Sequence, residues 1–299
     1  MSIRIDKITG GRFGNKILQY NSLVQIANNN NVKASCCVWE GNKFFKNLVT
    51  HVETKNIKKG LFCKSILDDE KLDFQNFDYC IDDPAYCLHN VFYKITNKDP
   101  RYFLELKDEY KPKFKNNILY IGIHFRGCDI IKDDGNNGRE IHEFEYYKNA
   151  IDHVIDNLIN KEYIFILCTD DKNFPSFLKT IEYLNEKKYK FDFGSATKEN
   201  KHYIYDWGIL SECDILINTS STFCVTAGFL GKQEKYIIHS KKWIEKNQNR
   251  KSWNSKGENI INLLGYNIKT KEYWKYYDNF WIEVSKCNIN NYYYCNKLI

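Results

Sequence analysis

The chain has 299 residues, 43% of them hydrophobic, and a formal net charge of +6 from 44 basic and 38 acidic side chains. That is long and apolar enough for two domains of ordinary size, and no apolar run reaches the roughly 18 residues a membrane span needs. The charges are mixed along the chain, which excludes a nucleic-acid footprint of the usual kind but suits an anionic small ligand. Eleven cysteines without paired spacings predict reduced thiols rather than a disulfide frame. The start, MSIRIDKITGG, lacks an apolar signal core. The expected compartment is therefore cytoplasmic.

In chain order, Ser2–Ile8 alternates apolar and polar side chains and predicts a strand. The loop Gly10-Gly11-Arg12-Phe13-Gly14 follows, and a helix is expected from Asn15, with Ile17, Leu18, Leu23, Val24, Ile26 and Ala27 on its buried side. A strand, a glycine loop and a helix start together offer backbone N–H groups to an anion. The spacing matches neither the dinucleotide fingerprint nor the Lys-Ser/Thr phosphate loop, so a simple tight turn accounts for it equally well. Ala34–Trp39 predicts a second strand. Pro84, Pro100 and Pro112 punctuate the region after it, and the polar stretch Lys107–Asn117 is the expected boundary between domains 1–112 and 113–299.

Leu119–Asp129, LYIGIHFRGCD, opens as a short apolar run and ends in His124, Arg126 and Asp129. Such runs are buried parallel strands in α/β folds, and ligands of open α/β sheets collect at the carboxyl ends of the strands. Arg126 offers a planar fork of donors suited to phosphate or carboxylate. An ion pair between Arg126 and Asp129 capping the strand end is the competing account.

Residues 131–139 form a loop of turn formers, and Glu143–Asn157 carries Tyr146, Tyr147, Ala150, Ile151, Val154 and Ile155 at helical spacing. Tyr163–Cys168 predicts a buried strand ending in Thr169-Asp170-Asp171. The Asp pair fits a strand-end turn ahead of Pro175 and a helix over Phe174–Leu184 better than it fits a metal site. A strand over Lys190–Phe193, a helix over Asp206–Glu212 and a strand over Asp214–Asn218 follow. The hydroxyl loop Thr219-Ser220-Ser221-Thr222 then leads into a helix over Phe223–Phe229. Hydroxyls there either cap the helix or bind an anion. Lys235–His239 is the expected last strand, and the aromatic tail, Glu272 to Tyr294, is expected to pack back across the first domain or to form an acceptor surface. The alternation of elements predicts α/β architecture with parallel sheets.

Several of these stretches, in order, resemble the inverting fucosyltransferases. IGIHFRGCD is similar to their HxRRxD motif; EFEYYKNAI, ILCTDD, DWGILSECDILINTSSTF and IIHSKKWI resemble the α-1,2-fucosyltransferases of glycosyltransferase family 11. GGRFGNKILQY resembles that family's GGLGNQMFQY, and its GRFGN also resembles the protein O-fucosyltransferases. The resemblance spans Gly10–Asn31 and Leu119–Ile244. It implies a GT-B-like fold of two facing Rossmann-like domains, with a GDP-fucose donor held mainly by the second, a glycan acceptor, and no metal or other cofactor.

Carried over by position, Arg126 is implied at the β-phosphate, and His124 and Asp206 at the nucleoside. Ser220, Ser221 and Thr222 are implied in the phosphate loop. Gly11, Arg12, Phe13, Gly14 and Asn15 are implied on the first-domain side, with Arg12 and Asn15 reaching the pyrophosphate and the departing oxygen. Asp129 completes the motif, and Glu140, Asp129 and Asp134 are candidates for the catalytic base. The chain departs from the pattern at Gly127, where the motif has a second arginine, and at Thr222, which separates the serines from Phe223. One alternative uses another nucleotide sugar; a second is a glycan- or nucleotide-binding protein on the same fold without turnover.

Overall fold

A computed structural model describes residues 2–8, 11–49, 59–61, 79–81, 103–128, 141–157, 159, 161–195, 202–219, 221–231, 236–240, 281–282 and 292–296. They fall into two compact units, one reaching Lys107 and the other beginning at Asp108.

The first unit holds a four-stranded parallel sheet of order β2-β1-β4-β3, from β1 (Ser2–Ile5), β2 (Lys33–Cys36), β3 (Lys59–Leu61) and β4 (Tyr79–Ile81). Helix α1 (Phe13–Asn29) connects β1 to β2 and buries Ile17, Leu18, Leu23 and Val24 with Ile3 and Ile5 of the sheet. The helix starts two residues before the expected Asn15, because the Arg12 carbonyl accepts from Asn15 N at 2.9 Å and Lys16 N at 3.3 Å. The strand expected over Ala34–Trp39 stops at Cys36. Trp39 N instead donates to Asn42 Oδ1 at 2.8 Å, starting a short 3₁₀ turn over Glu40–Lys43. The Trp39 ring then joins an aromatic cluster with Phe13, Phe44 and Phe45.

The second unit is built on a seven-stranded sheet of order β10-β11-β9-β8-β5-β6-β7. Its strands are β5 (Leu119–Phe125), β6 (Tyr163–Thr169), β7 (Phe191–Phe193), β8 (Ile215–Ile217), β9 (Tyr236–Ser240), β10 (Trp281–Ile282) and β11 (Tyr292–Asn296). Strands β5 to β9 are parallel, joined through helices α2 (Phe144–Asn157), α3 (Pro175–Glu186), α4 (Tyr203–Glu212) and α5 (Thr222–Leu230).

Side chains alternate across a strand, and β5 shows it. Ile121, Ile123 and Phe125 enter one core with Tyr147, Ile151 and Val154 of α2 and Phe177 and Leu184 of α3. Gly122 faces the other way, where an added Cβ would lie 3.0 Å from Cys213 Sγ and 3.1 Å from Leu210 Cδ2. Helices therefore cover both faces, as parallel strands require. On that second face Trp207 Nε1 of α4 donates to Thr226 Oγ1 of α5 at 3.2 Å.

Two expectations change here. Lys235–His239 is not the last strand, because Tyr292–Asn296 pairs antiparallel along β9 and Trp281–Ile282 pairs with it in turn. The described part of the aromatic tail belongs to the second unit, not the first. Strand-forming Tyr, Trp and Ile residues satisfy an edge that β9 would otherwise leave open. The sheet is thus parallel at its centre and antiparallel at one edge. No described helix is long and apolar enough to cross a membrane.

Candidate active site

From β5 the chain proceeds through β6 to β7 on one side, and β8 then takes the place on β5's other side. The strand order reverses between β5 and β8, and the crevice at the carboxyl ends of two such strands is where open α/β sheets place ligands. Two hydrogen bonds bridge that crevice. His124 Nδ1 lies 2.6 Å from Thr219 Oγ1, and Arg126 Nη1 donates to Ser221 Oγ at 2.7 Å. The partners in these two rungs are two residues apart on each side, His124 and Arg126 at the exit of β5 and Thr219 and Ser221 after β8, where Ser221 N donates to the Thr219 carbonyl at 2.7 Å.

The rungs differ electrically. His124 is buried. Burial pushes its proton affinity down to about 3, the Arg126 charge pushes the same way, and the Asp170 carboxylate opposes them. The imidazole is therefore neutral near pH 7, and its tautomer decides whether it donates to Thr219 or accepts from it. Arg126, half-buried, supplies the cation of the pair.

Ser221 is the N-cap residue of α5, yet its side chain makes no capping hydrogen bond. Its hydroxyl accepts from Arg126 instead, which leaves the hydroxyl's own hydrogen to be given to an acceptor. Thr222 is the first residue of the helix and half-buried. A guanidinium, a hydroxyl and a helix N-terminus thus meet at one point, a combination that favours an anion on charge and on hydrogen-bonding grounds. Tyr146 of α2 braces this end of β8, its hydroxyl donating to the Asn218 carbonyl and lying 3.3 Å from that of Ile238.

The exit of β6 supplies the other flank. Asp170 Oδ1 accepts from Gly127 N at 2.8 Å and from Cys128 N at 3.4 Å, and Cys128 Sγ donates to the Asp170 carbonyl at 2.9 Å. Asp171 Oδ1 accepts from Asn173 N at 2.9 Å. Thr169 Oγ1 brackets the same turn, accepting from Asp171 N and donating to Asp171 O. Both aspartates thus hold backbone at a turn before Pro175, and no group of three or more metal-ligating side chains occurs among the described residues.

Asp206, in the first turn of α4, is buried, and its Oδ1 accepts from Ser195 N at 2.5 Å. Gly194 makes that approach possible, since a Cβ there would sit 2.4 Å from the same oxygen. The Cys168 thiol beside it is raised by burial and by the Asp206 charge. The Ser195 bond ties Asp206 to the exit of β7.

In the first unit, Gly11 has φ +69°, and a Cβ on it would fall 2.0 Å from Asn15 Nδ2. The Asn15 amide is therefore folded over Gly11. Arg12 is exposed at the N-cap of α1, and Gly14 is buried. Phe13 is buried with its ring stacked on Phe45 at 6.0 Å, so its side chain serves the aromatic core. Asp129, Asp134, Glu140 and Ser220 lie outside the described residues.

Three participants are not among the site residues predicted from sequence: Thr219, Asp170 and Tyr146. Thr219 belongs to the hydroxyl loop that the sequence singles out, two residues before Ser221. The other two act across elements, and no local pattern reveals that.

No protein-family model matches the chain, and no curated protein matches it by sequence. Solved structures do match in fold. NodZ alpha-1,6-fucosyltransferase co-crystallized with GDP aligns with a TM-score of 0.53 at 14% identity, over 80% of this chain and 94% of that one. The same enzyme soaked with GDP-fucose gives 0.52 at 14% identity, over the same shares of the two chains. A variant of Arabidopsis thaliana FUT1 in complex with GDP gives 0.51 at 12% identity, over 79% of this chain and 70% of that one. The α/β fold with parallel sheets described above is thus the fold of these fucosyltransferase structures.

Proposed function

We propose that the chain is an inverting, metal-independent glycosyltransferase that moves L-fucose from GDP-fucose to a sugar hydroxyl of a glycan acceptor. The observation that carries this reading is the Arg126–Ser221 rung at the N-terminus of α5. It gathers a cation, a hydroxyl and helix N–H groups at the strand-order reversal. Its support is the fold shared with structures described as bound to GDP or soaked with GDP-fucose.

The chemistry follows from that anion site. Breaking the bond between the anomeric carbon and the β-phosphate oxygen leaves negative charge on the diphosphate. Arg126, the Ser221 hydroxyl and the α5 N-terminus are preorganised donors for that charge, which is the main source of rate in such sites. The acceptor hydroxyl attacks the opposite face of the sugar, inverting the anomeric centre, and its proton goes to a base. Glu140, Asp129 and Asp134 are the candidates for that base, on sequence position. In the same reading His124 and Asp206 serve the nucleoside, and the Gly11–Asn15 loop the departing phosphate. Cytoplasmic action is in keeping with eleven cysteines that lack paired spacings.

Gly127 favours a second reading, a glycan- or nucleotide-binding protein without turnover, and leaves open a transferase that uses another nucleotide sugar. It leaves one cation where the resembling motif has two.

Thermal shift across a panel of nucleotides and nucleotide sugars tests the donor, because a bound ligand stabilises the native state by mass action. GDP and GDP-fucose are expected to raise Tm, and GDP release with an acceptor panel is expected to continue in EDTA. Stabilisation by uridine or adenine nucleotides alone would replace the donor. GDP binding without transfer or hydrolysis would favour the second reading. Loss of activity on chelation, restored by Mn²⁺ or Mg²⁺, would end the metal-independent mechanism.

A further inference from the structure

The chain segment that carries Arg126 is held from two sides, and the sides do different things. On one side the guanidinium reaches Ser221 at the exit of β8. On the other, the two backbone N–H groups immediately after Arg126 converge on one carboxylate oxygen, Asp170 Oδ1, at the exit of β6. Cys128 Sγ adds a third bond to the Asp170 carbonyl at 2.9 Å. Gly127 packs tightly into this turn: an added Cβ would lie 3.0 Å from the Cβ atoms of Asp171 and Phe174. The main chain thus sits against the β6 exit at the very position where the resembling motif has a second arginine.

We propose that Asp170 is a positioning residue for Arg126, its carboxylate clamping the Gly127–Cys128 backbone so that the guanidinium is presented to Ser221 and to a bound diphosphate. The proposal rests on the reading of this crevice as a diphosphate site. It also accounts for Gly127. The clamp needs the backbone close to Asp171 and Phe174, and the smallest side chain permits that approach. Asp170 has no contact of its own to make with the ligand in this role. Its effect on affinity is exerted through Arg126.

That gives a test which a merely structural aspartate would fail. Hydrogen bonds to a charged acceptor are the stronger kind, so Asp170→Ala is expected to weaken GDP binding by about tenfold, a shift of about 1.4 kcal/mol. Asp170→Asn keeps an oxygen acceptor for both N–H groups and is expected to stay within about threefold of the wild type. In an Arg126→Ala background, measured with GDP at millimolar concentration, Asp170→Ala is expected to cost less than about twofold, because residues acting through one another are not additive. Equal costs in both backgrounds would overturn the proposal, as would loss of Tm with unchanged GDP affinity.

Wild-type chain that binds no GDP would instead sink the diphosphate reading. The clamp is then judged by a crystal structure of Asp170→Ala, or of Asp170→Asn if the alanine variant does not fold. A lost or shifted Arg126–Ser221 bond in the alanine variant supports the clamp, and an unchanged one refutes it. For the asparagine variant the signs reverse: the bond is expected to be retained, and its loss counts against a clamp made by the carboxylate oxygen alone.

Discussion

The chain contains two strand–loop–helix junctions that read alike in sequence, and they are built on different principles. At the first, Gly11–Gly14, local geometry dominates. A glycine at φ +69° turns the chain, the Asn15 amide folds over it, and Phe13 anchors the helix start in an aromatic core. At the second, Thr219–Thr222, the hydroxyl that local rules would assign to capping reaches across to a guanidinium on the neighbouring strand. A helix N-terminus is by itself a weak signal for an anion. A cross-strand cation that takes over the capping hydroxyl is a stronger one, because it uses a group that the helix had a local claim on.

The sharpest way to break the comparison is Arg126→Ala. If the second junction is the ligand site, GDP affinity should fall by on the order of 100-fold or more, combining a lost charge-assisted bond with a lost cation. The Tm of the unliganded chain should barely move. Arg126→Lys should already cost about tenfold in kcat/KM, since an ammonium cannot reproduce the fork. A melting temperature that drops sharply while GDP binds normally would return Arg126 to a structural role.

Ser221→Ala asks whether the hydroxyl is a cap or a ligand group. An N-cap serine that bonds its helix costs about 1 kcal/mol of stability when removed. Here the hydroxyl bonds Arg126, so the expected outcome is several-fold weaker GDP binding with a Tm within a degree or two of the wild type. The opposite pattern, a destabilised chain with normal affinity, would erase the distinction between the junctions.

Asn15→Ala examines the first junction in the same terms. Turnover reduced several-fold at unchanged Tm would make it a second ligand loop, whereas silence in both assays would leave it a turn.

The last expected effect, read in stability and not in affinity, concerns the neutral rung. The proton affinity of His124 is depressed from an ordinary 6.5 to about 3 by burial, with Arg126 adding to the depression and Asp170 opposing it. The unfolded chain takes up that proton first as pH falls. The stabilising contribution is therefore complete above pH 6.5 and is lost progressively toward pH 3. Melting curves of wild type and His124→Gln between pH 7 and pH 4.5 should converge as pH falls, by on the order of 1–2 kcal/mol near pH 5. Parallel curves would contradict a buried, neutral imidazole.

Sequence made legible what is local. The apolar run Leu119–Ile123 lies in the central strand Leu119–Phe125, Glu143–Asn157 and Phe174–Leu184 lie within a residue or two of observed helices, and His124 and Arg126 stand at the strand exit that the sheet rule predicts. Partners across strands were not legible. Arg126 bonds Ser221, a partner that local sequence does not name, because proximity in the chain says nothing about which strand lies alongside β5. Likewise the hold of Asp170 on the Gly127 and Cys128 backbone is visible only once β6 stands beside β5, whereas Asp171 bonds Asn173 N within the strand-end turn that the sequence predicts. The tail strands were missed because pairing with β9 spans some fifty positions of sequence.

That long-range pairing has a kinetic reading. Strands β5 to β9 are joined by short crossovers through their own helices, whereas Tyr292–Asn296 must find β9 from far along the chain. Closing a longer loop costs more entropy, and elements added at an edge belong to the part of a fold that opens most readily. Strand β9 therefore has two seams of unequal durability. In hydrogen–deuterium exchange under native conditions, its amides that face β8 should exchange only with global unfolding. Those that face β11 should exchange through a cheaper, local release of the edge.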